Sequence, residues 1–267
     1  MIYASFTRGF KPGGSNLTYG YTEAEDAAMG NAIAPPLVLP IFDSESIAAY
    51  EAGLKTDLVD GRLRANVAAF FYEYEDLQFQ ATDPDVFRGG VANIPEAEMK
   101  GVELELIGII SDSFTFDLKM ARLDSEVTKN FDTLDNVKAN STIPAPPWCS
   151  PVGYLGFCYE DLRYQNRENI KGNELAKSPD LTASASLRYQ TNLSSGNSVF
   201  GSIDYVHRGE FQQRVINHPL IDTVEDYNVL NLTAGIDFAN GAWAVSYTHL
   251  RAHETRHDLV CRLLLEK

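Results

Sequence analysis

The residues best suited to chemistry are His253, Glu254 and His257, in the pentapeptide His-Glu-Thr-Arg-His near the C-terminus. Two histidines four residues apart lie on one face of a helix and can share a zinc ion, while the intervening glutamate activates a bound water. The motif therefore raises the hypothesis of a zinc hydrolase.

The sequence around this motif does not supply the rest of a zinc centre. The longer metalloprotease pattern continues with a glycine and a third histidine, at positions where this chain has Val260 and Leu263. Only ten residues follow His257, too few for a second helix to return a glutamate ligand. We therefore predict that the chain has no catalytic residue, no metal site and no cofactor, and that it is not an enzyme.

Composition narrows the remaining classes of protein. The formal net charge of −15 over 267 residues argues against a nucleic-acid partner, because phosphates need a basic face. No run of about 18 apolar residues predicts a membrane-spanning helix. The three cysteines are too few for a disulfide framework, although Cys149 and Cys158 are close enough in sequence to bridge within one loop, and free thiols are an equal alternative.

The dominant period of the sequence is two. Val102, Leu104 and Leu106 alternate with Glu103 and Glu105, which is typical of a strand with one apolar and one polar face. Such strands run to roughly ten residues or more, where soluble strands average about 5 to 6, and this length favours tilted membrane-spanning strands. The same alternation is found in residues 62–80, 114–120, 181–190 and 228–238.

The predicted connections alternate in length as well. Tight turns are expected at Asp60–Gly61, Ser111–Ser113, Thr191–Asn197 and Asn240–Gly241. Long irregular segments are expected at 13–44, 81–95, 127–177 and 209–226. This order predicts an all-β fold, a partial antiparallel up-and-down transmembrane β-barrel of roughly nine long strands, with short periplasmic turns and long extracellular loops. A soluble sandwich or lipocalin-like barrel with its apolar face turned inward is the alternative.

Six segments in order resemble the barrel of TonB-dependent outer-membrane receptors. They are Tyr3–Gly14, Glu45–Gln80, Lys100–Leu106, Leu175–Tyr189, Asp204–Glu210 and Tyr227–Phe238.

The resemblance implies a barrel of approximately 22 strands that encloses an N-terminal plug, on which the TonB complex pulls to release cargo. It further implies a location in the outer membrane of a Gram-negative bacterium and a scarce nutrient as cargo, most often a ferric siderophore. The chain has no plug segment and too few strands to close such a wall, so we expect it to be a fragment of a receptor. A passive porin-like channel is the alternative function, and the zinc hydrolase ranks below it.

The resemblance ends near Ser246, and the composition changes with it. Three of the five histidines fall in the last 20 residues, and this tail resembles translated sequencing adaptor. We therefore predict a receptor-like barrel fragment at 1–247 and an artefactual tail at 248–267 that forms a short helix.

Candidate sites are then few. A Pro-rich loop carries the two cysteines and is predicted to contact cargo through the aromatic residues Trp148, Tyr154, Phe157 and Tyr159. Charged residues on the polar strand faces are expected to form a solvated inner wall with ion pairs between strands. These are Glu51, Lys55, Glu103, Glu105, Asp117, Lys119, Asp204 and Arg208.

Overall fold

The computed structural model describes residues 1–16, 39, 41–83, 88–135, 167–238, 241–251 and 262–263. All regular structure in these residues is β-strand, and none of their segments forms a helix long and apolar enough to cross a membrane. The strands are β1 (Ile2–Lys11), β2 (Gly14–Ser15), β3 (Ile41–Phe42), β4 (Glu45–Leu58), β5 (Leu63–Asp83), β6 (Arg88–Ser111), β7 (Phe114–Val127), β8 (Asp132–Leu134), β9 (Arg167–Asn169), β10 (Leu181–Asn192), β11 (Ser198–Arg208), β12 (Phe211–Gln212), β13 (Thr223–Val224), β14 (Tyr227–Phe238), β15 (Gly241–Arg251) and β16 (Arg262–Leu263).

One large antiparallel sheet contains the nine strands of ten or more residues. Its order is β1-β4-β5-β6-β7-β10-β11-β14-β15-β16, so each long strand pairs with the long strand that follows it in the chain. The short strands form three two-stranded sheets, β2–β3, β8–β9 and β12–β13. The predicted meander of long strands is confirmed, and the described residues form an open part of a barrel wall in which β1 has β4 as its partner.

The two ends of the sheet differ in the connections they carry. At one end, which we call the turn end, β4–β5, β6–β7 and β10–β11 are joined at the predicted tight turns, where Gly61 and Gly196 have φ of +82° and +81°. Glycine adopts this left-handed conformation without steric cost. The opposite end, the loop end, carries the connections at 12–44, 128–180 and 209–226.

The predicted irregular loop at 81–95 is wrong, because most of it belongs to β5 and β6. These strands have 21 and 24 residues and leave only residues 84–87 between them. Glu75 pairs with Glu96 and Leu77 with Ile94, so both strands skip one residue at the same place, at Asp76 (φ +54°) and at Pro95. The matched irregularity accommodates a proline, which cannot donate a ladder hydrogen bond, without loss of register.

One face of the sheet is apolar and exposed. We call a row of residues that lie directly opposite one another on successive strands a register line. One register line on this face consists of Ile2, Leu54, Val67, Leu104 and Met120. Ile2 is 84% exposed and Leu54, Val67 and Met120 about 40%. A soluble sandwich or lipocalin-like barrel would bury this face in its core, so the exposed band contradicts that alternative.

Neighbouring strands are staggered along the sheet. The register line that passes through Leu58, the last residue of β4, reaches Leu232 in β14, six strands further on. β14 continues past that line to Phe238, so its end is displaced by six residues over six strands. One residue per strand, at a rise of about 3.4 Å and a strand spacing of about 4.8 Å, corresponds to a tilt of about 35°. This tilt agrees with the ~35–45° of closed barrels.

The last strands extend beyond the point where the family resemblance ends in the sequence. β15 pairs with β14 as far as Arg251, and Arg262 and Leu263 of β16 pair with Ser246 and Val245. The helix predicted for the tail is therefore wrong at Arg262 and Leu263, which are extended.

Four glycines of the long strands each lie directly opposite an aromatic residue of a neighbouring strand. A Cβ atom on any of them would collide with the ring of that residue, so the aromatic side chain occupies the space that a larger residue would need. Such rings shield the exposed backbone of a strand glycine. The pairs are Tyr3 with Gly53, Phe70 with Gly101, Phe116 with Gly108, and Phe200 with Gly235.

We predict that Gly101→Ala destabilises the sheet by about 1–3 kcal/mol. The new Cβ would lie 2.5 Å from the carbonyl oxygen of Arg122, which cannot move without disturbing β7, and 2.5 Å from the Phe70 ring. Urea unfolding of the protein in detergent micelles measures the change. Gly201→Ala is the matched control, since its nearest atom, the Thr233 carbonyl oxygen, is 3.3 Å away. Equal unfolding midpoints for the two variants would contradict the prediction.

Candidate functional site: a polar inner wall beneath a packed cap

The polar face of the sheet borders an open hollow of about 750 Å³. Strand alternation places its side chains, because Lys55, Asn66, Glu105 and Lys119 lie on one register line across β4, β5, β6 and β7. Six of the eight charged residues predicted for an inner wall line the hollow, so they share one face of the sheet as predicted. They are Glu51, Lys55, Glu103, Glu105, Lys119 and Arg208.

Four of the six charged side chains around the hollow have partners. Lys119 Nζ lies 3.2 Å from Glu105 Oε1, and Asn66 donates a hydrogen bond of 2.7 Å to the other oxygen of Glu105. Tyr3 donates to Glu51 at 2.5 Å, and the Lys55 ammonium lies 5.3 Å from the centre of the Tyr3 ring. The predicted ion pair between strands is present between β6 and β7, and as a half-exposed pair it contributes about 0–1 kcal/mol to stability.

The other two predicted wall residues, Asp117 and Asp204, share a register line with Ser186 nearer the turn end. Asp204 accepts hydrogen bonds from the hydroxyls of Ser186 and Ser202, at 2.5 and 2.8 Å. The polar wall therefore extends from the hollow toward the turn end of the sheet. Its mixed charges and hydroxyl groups suit the passage of a polar solute.

At the loop end the apolar side chains are buried instead of exposed. Residues of β6 and β7 pack against two segments within the long connections, residues 167–177 and 211–224, which together we call the cap. The contact forms a buried apolar cluster of Ile94, Ala97, Val127, Ile170, Leu175 and Val215. Five partly buried side chains pack around this cluster: Tyr74, Leu77, Phe79, Met99 and Phe131.

Hydrogen bonds fasten the two cap segments to each other and to the sheet. Asn173 donates from its side chain to the carbonyl oxygens of Val215 and Ile216, at 3.0 and 2.9 Å. The Leu175 amide donates to the buried Ser125 hydroxyl at 3.1 Å, and the Val127 amide donates to the Asn173 carbonyl at 2.9 Å. The cap is therefore an ordered extension of the sheet.

A charged network lies beside the apolar cluster. Asp222 is 1% exposed and accepts two hydrogen bonds from the Arg214 guanidinium, at 2.6 and 3.1 Å, and one from the His218 amide at 2.8 Å. Asp135, which is fully buried, lies 3.7 Å from Arg214 Nη2 and 3.8 Å from His218 Nε2. Sequence reasoning missed these four residues, because they fall in segments without periodicity and 79 positions separate Asp135 from Arg214.

The predicted cargo loop and the zinc motif lie outside the described residues. This applies to Trp148, Cys149, Tyr154, Phe157, Cys158 and Tyr159, and to His253, Glu254 and His257. Their roles stay predictions. Within the described ranges, no group of three His, Cys, Asp or Glu side chains is placed to hold a metal ion.

Comparison with known proteins identifies what this chain is similar to. A family model described as "TonB dependent receptor-like, beta-barrel" matches residues 1–251. The chain is 31% identical over 129 residues to the "Probable TonB-dependent siderophore receptor PiuA" of Acinetobacter baumannii, a match that covers 48% of this chain and 16% of that protein. It is 31% identical over 130 residues to the "Metal-pseudopaline receptor CntO" of Pseudomonas aeruginosa, with coverage of 48% and 15%.

The fold has a counterpart among solved structures. The crystal structure of the ferric yersiniabactin uptake receptor FyuA from Yersinia pestis superposes with a TM-score of 0.61 at 16% identity, over 92% of this chain and 29% of that one. The likeness at this identity is one of fold. The chain spans less than a third of the length of each of these three proteins.

We predict that Glu174→Gln stabilises the cap at neutral pH. Partial burial raises the pKa of the Glu174 carboxyl above its ordinary value of 4.5, and the nearby carboxylates of Asp180, Glu210 and Asp124 raise it further. The folded state therefore binds this proton more tightly than the unfolded state, and wild-type stability falls as pH rises through and above 4.5. Unfolding midpoints measured from pH 4 to pH 8 should favour the variant at neutral pH and converge at the acidic end. A constant difference across that range would argue against the assignment.

Proposed function

Because the chain belongs to the TonB-dependent receptor β-barrel family, as the match over residues 1–251 establishes, we propose that it forms part of the wall of an outer-membrane receptor for a ferric siderophore. The family is one of receptors that transport, not of enzymes. Transport would be driven by the TonB complex through a plug domain within the same barrel, as in other family members. The names of two relatives, a siderophore receptor and a metal-pseudopaline receptor, support a metal-chelate cargo.

The observation that carries the proposal is the opposite character of the two faces of one sheet. The exposed apolar face would meet lipid hydrocarbon, and antiparallel pairing satisfies the backbone hydrogen bonds that lipid cannot. The polar hollow behind it would offer a hydrophilic solute hydrogen bonds and charges of both signs. A soluble binding protein would have no use for the exposed face.

Cargo would first contact the loop end. The aromatic side chains of Trp148, Tyr154, Phe157 and Tyr159 would provide flat surfaces for a chelate, and a disulfide between Cys149 and Cys158 would hold their loop in shape in the oxidising periplasm and beyond. The chelate would then contact the cap before it reaches the inner wall.

We predict TonB-dependent growth on ferric siderophores. A bacterial host that lacks its own siderophore receptors would express the complete receptor that contains this part of the wall, and it would be tested on low-iron plates with a panel of purified ferric siderophores. At least one should restore growth, and the same host without TonB should not grow on it. Uptake of radioactive iron from that siderophore, with and without TonB, gives the rate directly.

Two outcomes would contradict the proposal. Equal uptake in the presence and absence of TonB would indicate a passive porin-like channel. No uptake of any member of the panel, by a receptor shown to be folded in the outer membrane, would exclude the siderophore as cargo.

A further inference from the structure

We propose that Asp135, Arg214, Asp222 and His218 form a latch between the segment 128–135, which leads out of β7, and the cap hairpin 211–224, and that both segments are ordered while the latch is closed and loosen together when it opens. An effect of this movement on the entry of cargo rests on the proposed function. The coupling between the two segments rests only on their contacts.

The first half of the latch lies within the cap hairpin. Asp222 follows the turn that begins after β12, and its carboxylate accepts hydrogen bonds from two Arg214 nitrogens, Nε and Nη2, and from the His218 amide. Charge-assisted, bidentate pairs of this kind are the strongest and most directional hydrogen bonds in proteins. Asp222 therefore fixes the direction in which the Arg214 guanidinium and the His218 ring point.

The second half crosses to the other connection. Arg214 Nη2 and His218 Nε2 approach the two oxygens of Asp135, at 3.7 and 3.8 Å. At these distances the groups interact as ions but are too far apart to form hydrogen bonds. The contact across the two segments is thus looser than the contact within the hairpin, and it is the natural place for the assembly to separate.

Burial makes the contact reversible. Asp135 is fully buried in the closed arrangement, and its desolvation offsets much of the attraction to Arg214 and His218. When the segments separate, Arg214 and His218 regain water, and their side chains are already 33% and 18% exposed. Because the electrostatic attraction and the desolvation cost are of similar size, the closed and open arrangements differ little in free energy.

The remaining cap segment would follow the same movement. Asn173 binds the backbone of Val215 and Ile216, and the Asn217 side chain donates to the Glu174 carbonyl at 3.0 Å. Residues 173–174 are therefore fastened to the hairpin that the latch holds. Loss of the Asp135 contact should loosen the hairpin and residues 173–174 together.

Hydrogen exchange of the backbone amides, followed by mass spectrometry on the receptor in detergent micelles, tests the latch. Asp135→Asn removes the charge that crosses between the segments and leaves the Arg214–Asp222 pair in place. We expect amides of 211–224 to exchange roughly tenfold faster or more, although these residues are distant in sequence from the substitution. Asp226→Asn is the matched control, because Asp226 is an exposed aspartate of the same connection.

The outcomes are separable. Faster exchange confined to 128–135, with 211–224 unchanged, would overturn the proposal, as would an equal effect of Asp226→Asn. If Asp135→Asn does not fold, Arg214→Lys replaces it, because lysine keeps the positive charge but loses the two-nitrogen contact of the guanidinium. This variant should accelerate exchange in both 211–224 and 128–135. Acceleration in the hairpin alone would overturn the latch. No cargo is present in this experiment, so its failure leaves the uptake proposal untouched, and a failed uptake assay leaves the latch untouched.

Discussion

The structure depends on one constraint: every residue of a long strand must bond its backbone to a neighbouring strand while its side chain faces one of two different surroundings. Antiparallel pairing meets the first demand along all nine long strands. Strict alternation meets the second, since it delivers Leu54, Val67 and Leu104 to one face and Lys55, Asn66 and Glu105 to the other. A slip of one residue would exchange the two faces completely. The register is therefore as much a determinant of function as any single side chain.

The wall and the cap follow different packing rules within the same chain. Along the wall, large apolar side chains stand exposed, and the polar side chains behind them are hydrogen-bonded but not deeply buried. At the loop end, Ile94, Val127 and Ile170 are almost completely buried, as in a small soluble domain. The matched irregularity at Asp76 and Pro95 lies close to the change between the two regimes, since Tyr74 on one side of it and Leu77 on the other contact the same cluster. The loop end would thus gain its order from packing of its own, independent of the membrane.

Periodicity predicted the wall well and the cap poorly, and the reason is physical. The alternation in residues 100–106 and 181–190 results from two environments that persist along a whole strand, so it is visible in any short window. The charged wall residues could be assigned for the same reason, because parity alone determines which way they face. The latch has no such local signal: Asp135 and Asp222 are buried by contacts between segments far apart in the chain, in stretches where no period is imposed. The loop predicted at 81–95 was wrong because its last residue, Pro95, is compatible with a strand when the partner strand skips a residue at the same point.

The stagger of one residue per strand has a consequence for the inner surface. Side chains that face each other across the hydrogen bonds of the sheet, such as Lys55, Asn66, Glu105 and Lys119, are not at the same height in a membrane, because the line that joins them is inclined with the strands. The charges and hydroxyl groups of the wall are therefore arranged as the thread of a screw instead of as stacked rings. In the proposed receptor, a solute that followed the same row of groups would also travel around the circumference of the barrel, so its path would couple rotation to translation.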